Sequence, residues 1–78
     1  MSTQPMPACE ALAADPARFL FKLHLGQMVS SPSYQLKRDE AIRLNGYLSG
    51  LLEAELITGS QLEAVHAEID AFVWGSRL

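Results

Sequence analysis

The chain has 78 residues, a formal net charge of −3, and 49% apolar against 19% charged residues. That length makes a single domain, which buries only about 60% of the surface its unfolded chain exposes, and the apolar content excludes intrinsic disorder. A domain this small has few interior positions for so many apolar side chains, so some of them are expected to be covered by a second subunit or a partner.

The lone Cys9 can form no disulfide within the chain and has no second cysteine for a metal site, which points to a reducing compartment. The first residues lack the basic segment that opens a signal peptide. The apolar run at 19–25 is interrupted by Lys22 and His24 and falls far short of the ~20 residues of a membrane span. The expectation is a cytoplasmic protein without a membrane span. Charge is uneven along the chain: Arg18, Lys22, Lys37, Arg38 and Arg43 oppose Glu10, Asp15, Asp39 and Glu40 before Tyr47, whereas five acids and only Arg77 follow.

Residues 1–14 read as a flexible N-terminal arm, with a short helical turn available to 8–14, and 15–78 as one helical domain. A first main helix is predicted from Asp15-Pro16, where Asp caps the orphan amides and Pro fits the first helical position, to about Val29. Its apolar residues lie almost all round the axis, the mark of a helix buried on more than one side. The rival reading is a strand over 19–25, where Phe19, Phe21, Leu23 and Leu25 alternate with Leu20, Lys22 and His24; helix is preferred because the chain offers no strong partner strand.

After a linker at 30–33 the second helix runs from Pro32 or Ser33 to Ala54 or Glu55, with Ala41, Leu44, Leu48, Leu51 and Leu52 as its apolar stripe. Lys37 and Arg38 would be unfavourable in its first turn, which favours the earlier start. The hairpin signal Asn45-Gly46 is set aside because good helix formers flank it. Thr58-Gly59-Ser60-Gln61 has the spacing of a capping box, with Ile57 and Leu62 placed as a hydrophobic staple. The third helix follows from Gly59 or Ser60 to Trp74, with Leu62, Val65, Ile69, Phe72 and Val73 on one face and Gly75 as a left-handed stop. The second and third helices then form an antiparallel αα-hairpin.

Gly46 and Gly50 each cost a helix about 1 kcal/mol relative to alanine. With Ser49, and with Ile42 at the border, they lie away from the leucine stripe and would let another backbone approach closely, either a dimer contact or the seat of the first helix. Glu63 and His66 have the Glu-x-x-His spacing of dimetal bundles, but Glu63 points away from the core face and no second pair exists, so no metal or cofactor is expected. His24 stands among apolar residues without an acid nearby in sequence. The shape of 51–65 is that of a helix-turn-helix, yet its second helix carries Glu63, Glu68 and Asp70 and no base, which phosphates would repel. Trp74 projects opposite Leu62 and Ile69 and is either a binding hot spot or covered by the chain end. Neither an activated serine nor a phosphate loop is found, and no enzymatic activity is expected.

From Tyr47 to Phe72 the chain faintly resembles the short C-terminal oligomerisation domains of bacterial proteins, through Leu48, Leu51, Leu52, Ile57, Thr58, Leu62 and Ile69. It departs from them at Glu55, where glycine is usual, and lacks their lysines in the second helix. The resemblance covers about a third of the chain, reads as convergence on an αα-hairpin, and implies self-association only.

The sequence therefore predicts an all-α, three-helix domain, dimeric, that binds another protein as a regulator, inhibitor or adaptor. Phe19, Leu20, Phe21, Leu23 and Met28, with Ile42, Gly46, Gly50 and Trp74, are the residues expected to meet a second chain. Two alternatives stand beside this: a transcriptional co-regulator touching nucleic acid through Arg18, Lys22, Lys37, Arg38 and Arg43, and a dimer enclosing an apolar ligand between Phe19, Phe21 and Met28.

Overall fold

Most helix starts in this chain are set by side chains that satisfy the first backbone amides. The computed structural model describes residues 5–75. They form α1 (Pro7–Ala13), a 3₁₀ turn (Pro16–Arg18), α2 (Phe19–Ser30), α3 (Tyr34–Glu53) and α4 (Gly59–Gly75), and no strand. The Asp15 carboxylate accepts from the Ala17 amide at 2.9 Å, with Pro16 behind it; the signal is where the sequence puts it, but it opens the 3₁₀ turn, and α2 proper begins at Phe19. Ser33 caps α3, accepting from the Leu36 amide at 3.2 Å. The capping box of α4 is complete: the Gln61 amide donates to Thr58 Oγ1 at 3.1 Å and the Thr58 amide donates to Gln61 Oε1 at 2.7 Å.

Helix α1 has no local cap. Met6 precedes it without a side-chain hydrogen bond, and the orphan amides of Ala8 and Cys9 instead donate to the two oxygens of Glu68 on α4, each at 2.9 Å. Residues 7–13, read from the sequence as part of a flexible arm with a short helical turn available to 8–14, are thus a fourth helix laid against α2 and α4, with Cys9 fully buried. Seven residues carry too little periodicity to announce a helix, and its cap comes from 60 residues away.

The core gathers Met6, Cys9, Phe21, Met28, Ala41, Leu44, Leu48, Leu51, Ile57, Val65, Ile69 and Val73. The predicted stripe of α3 is present except for Leu52, which is exposed, and the predicted face of α4 is buried at Val65, Ile69 and Val73 and half-buried at Leu62 and Phe72. Helix α2 contributes one stripe only, with Phe21 and Met28 fully buried, His24 and Leu25 half-buried, and its remaining apolar face open. The radius of gyration is 11.8 Å, against about 11.5 Å for a compact chain of this length.

Lys37, near the start of α3, is accommodated rather than avoided. It donates to the Ser31 carbonyl, where α2 ends and the α2 dipole favours a positive charge, and its ammonium lies 6.0 Å from the centroid of the Phe72 ring. At the other end, α4 continues through Gly75, and no glycine among the described residues has a positive φ, so the left-handed stop expected at Gly75 is not formed.

The left-handed residue of this fold is Glu55, at φ 60°. The Leu56 amide donates to the Leu51 carbonyl at 2.9 Å and the Glu55 amide to the Leu52 carbonyl at 3.0 Å, the pair of bonds that defines a Schellman motif. A side chain at this position costs about 1–2 kcal/mol that glycine does not incur. Glu55→Gly is therefore expected to stabilise the domain by about 1 kcal/mol, raising the melting temperature by several degrees in a calorimetric scan; a fall would mean that the Glu55 side chain makes a contact worth more than the strain.

Candidate interaction surface

The most exposed apolar side chains cluster on two faces, and Leu36, near the start of α3, is exposed apart from them. On α2, Phe19, Leu20 and Leu23 are 66%, 44% and 52% exposed; Phe19 and Leu23, four residues apart, stand over one shallow groove shared with Lys22, Gly26 and Ser30. The helix carries no acid, so this face is apolar with a basic edge. On the second face, Ile42 of α3 and Trp74 of α4 are 59% and 61% exposed and line a groove with Tyr34, Arg38, Asn45 and Asp70. Leu52 and Leu56 are exposed near the α3–α4 connection.

Of the residues expected to meet a second chain, Phe21 and Met28 do not belong there. Both are fully buried in this chain's own core, and Phe21 stacks on Tyr47 with ring centroids 6.3 Å apart. An apolar pocket lined by Phe19, Phe21 and Met28 is not formed, because Phe19 lies on the opposite, solvent side of α2. Gly46 and Gly50 are exposed, and a Cβ added at either would meet nothing within 4 Å. They are not the seat of α2, which packs on the other side of α3 through Glu40.

That carboxylate is the polar feature the sequence did not reveal. Glu40 is buried between α2 and α3, with Oε1 3.1 Å from Arg43 Nη1 and 3.4 Å from His24 Nδ1. His24, which in sequence has no acid near it, faces one across the helix interface. Nδ1 of His24 and Oδ1 of Asn45 are buried without a hydrogen-bond partner. Spacing could have flagged Arg43 as an i,i+3 partner of Glu40; nothing local could have joined His24 to it.

Burial, followed by the hydrogen bond and charge of Glu68 and then the charge of Glu10, pushes the Cys9 thiol up to about 12, so no thiolate is available near neutral pH. Glu63 and His66 are both exposed, His66 lying 3.8 Å from Asp70 on its own helix, and no group of three His, Cys, Asp or Glu able to hold a metal occurs among the described residues. A cavity of about 400 Å³ between α1, the 3₁₀ turn and the start of α4 has mostly apolar walls; of its polar residues, Asp15 and Gln61 are engaged in caps, and Arg18 and Ser60 are the others.

Three of the five cations considered for nucleic-acid contact are hydrogen-bonded within the chain, Arg18 to the Ala17 carbonyl, Lys37 to the Ser31 carbonyl and Arg43 to Glu40. No helix of the described residues is long and apolar enough to cross a membrane. Family models, curated proteins and solved structures offer no match to this chain.

Proposed function

We propose that this chain is a small non-enzymatic interaction module, a cytoplasmic regulator, inhibitor or adaptor that pairs with a second copy of itself and binds another protein. Its framework is an antiparallel α3–α4 hairpin against which α1 and α2 are packed. The observation that carries this reading is the exposure of Phe19, Leu20 and Leu23 on a helix whose inner stripe already closes the core. Large apolar residues clustered on a rigid helix, with a basic edge at Lys22, are the groundwork of helix-mediated recognition. The exposed Trp74 and Ile42 give a second face for the same use.

The test is photo-crosslinking in cells from a reactive residue placed at Leu20, with and without Phe19→Asp/Leu23→Asp. One discrete adduct with a different protein, lost in the double variant while the circular dichroism spectrum is unchanged, is the expected result. An adduct pattern indifferent to the two substitutions would remove the α2 face as the binding surface.

A further inference from the structure

Helix α1, the 3₁₀ turn and the start of α4 meet around a hollow that none of them fills, the cavity of about 400 Å³. Alanines stand on both sides of it, Ala8 and Ala11 on α1 and Ala64 on α4, where longer side chains would close the space. Leu12 and the buried Ile57 and Val65 continue the apolar wall, and Leu56, 56% exposed, borders it without cover. The volume is at the small end of ligand clefts, about 300–1,000 Å³. It suits a molecule of metabolite size and is too small for a helix about 10 Å across.

Two opposite charges share the rim. Asp15 and Arg18, at the two ends of the 3₁₀ turn, both line the cavity, yet no ion pair joins them. Asp15 accepts from the Ala17 amide through Oδ1, and Oδ2 stays open. Arg18 Nη1 donates to the Ala17 carbonyl at 3.0 Å; the rest of its guanidinium, a fork of five N–H donors, has no partner among the described residues. Ser60, in the first turn of the 17-residue α4, lines the same cavity with a hydroxyl that makes no hydrogen bond among the described residues, and the N-terminus of that helix adds partial positive charge beside it.

We propose that this cavity binds a free α-amino acid with an apolar side chain, of the kind of leucine or phenylalanine. The side chain fills the alanine-lined hollow and covers Leu56, the carboxylate is received by Arg18 and Ser60, and the ammonium by the open oxygen of Asp15. The charges decide the class. An apolar carboxylate alone would meet Asp15 as well as Arg18, and an apolar amine alone would meet Arg18 as well as Asp15. A ligand with both charges on one carbon leaves neither rim group opposed. The bound ligand touches α1 and α4 together, so it is a second tie on the helix whose first amides Glu68 holds. No residue of α2 lines the cavity, so this site and the α2 surface stand or fall separately.

Isothermal titration calorimetry on the full chain tests it with L-leucine and L-phenylalanine, each beside its deaminated and decarboxylated analogue: 4-methylpentanoate and 3-methylbutylamine, 3-phenylpropanoate and 2-phenylethylamine. At least one of the two amino acids is expected to bind saturably at one site with Kd below about 1 mM, and its two analogues at least tenfold more weakly. Asp15→Asn keeps the cap, since the asparagine carbonyl can accept from the Ala17 amide. It should weaken the amino acid at least fivefold without weakening the deaminated analogue. Arg18→Gln should weaken the amino acid as much without weakening the decarboxylated analogue. Ala64→Leu, at an exposed position of α4, fills the cavity and is expected to abolish binding with an unchanged far-ultraviolet spectrum. In the wild type the bound amino acid should slow amide exchange at Ala8 and Cys9. No saturable heat with either amino acid, analogues that bind as tightly as their parent, charge variants that bind as wild type, or binding retained in Ala64→Leu would each overturn the proposal.

Discussion

Replacing Phe21 by alanine is expected to lower the unfolding free energy by about 3–5 kcal/mol, whereas the same change at Phe19, two residues earlier, should cost less than about 0.5 kcal/mol. Phe21 is fully buried and stacked on Tyr47; Phe19 is 66% exposed. Urea titration of the two variants reads the difference directly. A domain of this length holds about 4–12 kcal/mol in total, so Phe21→Ala should sit near its unfolding threshold at room temperature. Equal losses at the two positions would mean that Phe19 is covered in solution within the monomer, and the surface assigned to α2 would have to be withdrawn.

The second large effect is at Glu68. Its carboxylate receives the amides of Ala8 and Cys9, each at 2.9 Å, and hydrogen bonds to a charged group contribute about 1.5–3 kcal/mol apiece. Glu68→Ala leaves both amides unmet at the start of a helix that has no cap of its own, for an expected loss of about 2–4 kcal/mol. The damage should be local before it is global. Amide exchange at Ala8 and Cys9 should accelerate, and Cys9, shielded in the wild type, should react with a thiol reagent under native conditions. If Cys9 stays protected in Glu68→Ala, α1 is held by apolar contacts alone and the carboxylate is incidental.

What could be read from the sequence was local. Asp15-Pro16 and the Thr58–Gln61 box act within a few residues, and both were visible as spacing. The stripes of α3 and α4 were visible as period, because each of these helices has a polar side to contrast with its apolar one. Helix α2 has apolar residues all round, so its pattern said helix without saying which side faces inward, and Phe21 and Met28 could not be separated from Phe19 and Leu23. The pairings of Glu68 with α1 and of Glu40 with His24 join residues 59 or 60 and 16 positions apart, which no local spacing rule reaches. The two open glycines were legible as an oddity, and the structure adds that nothing inside the chain explains them.

The carboxylate clasp on α1 also sets an order of events as the chain is made. Glu68 is synthesised 60 residues after Ala8, and at about 5–20 residues per second that is roughly 3–12 s later. Throughout that interval the amides of the first turn have water as their only partner, and a helix of seven residues does not hold itself together in water. Met6 and Cys9 therefore wait for α4, and the N-terminal segment, though made first, cannot close onto the core before Glu68 is in place.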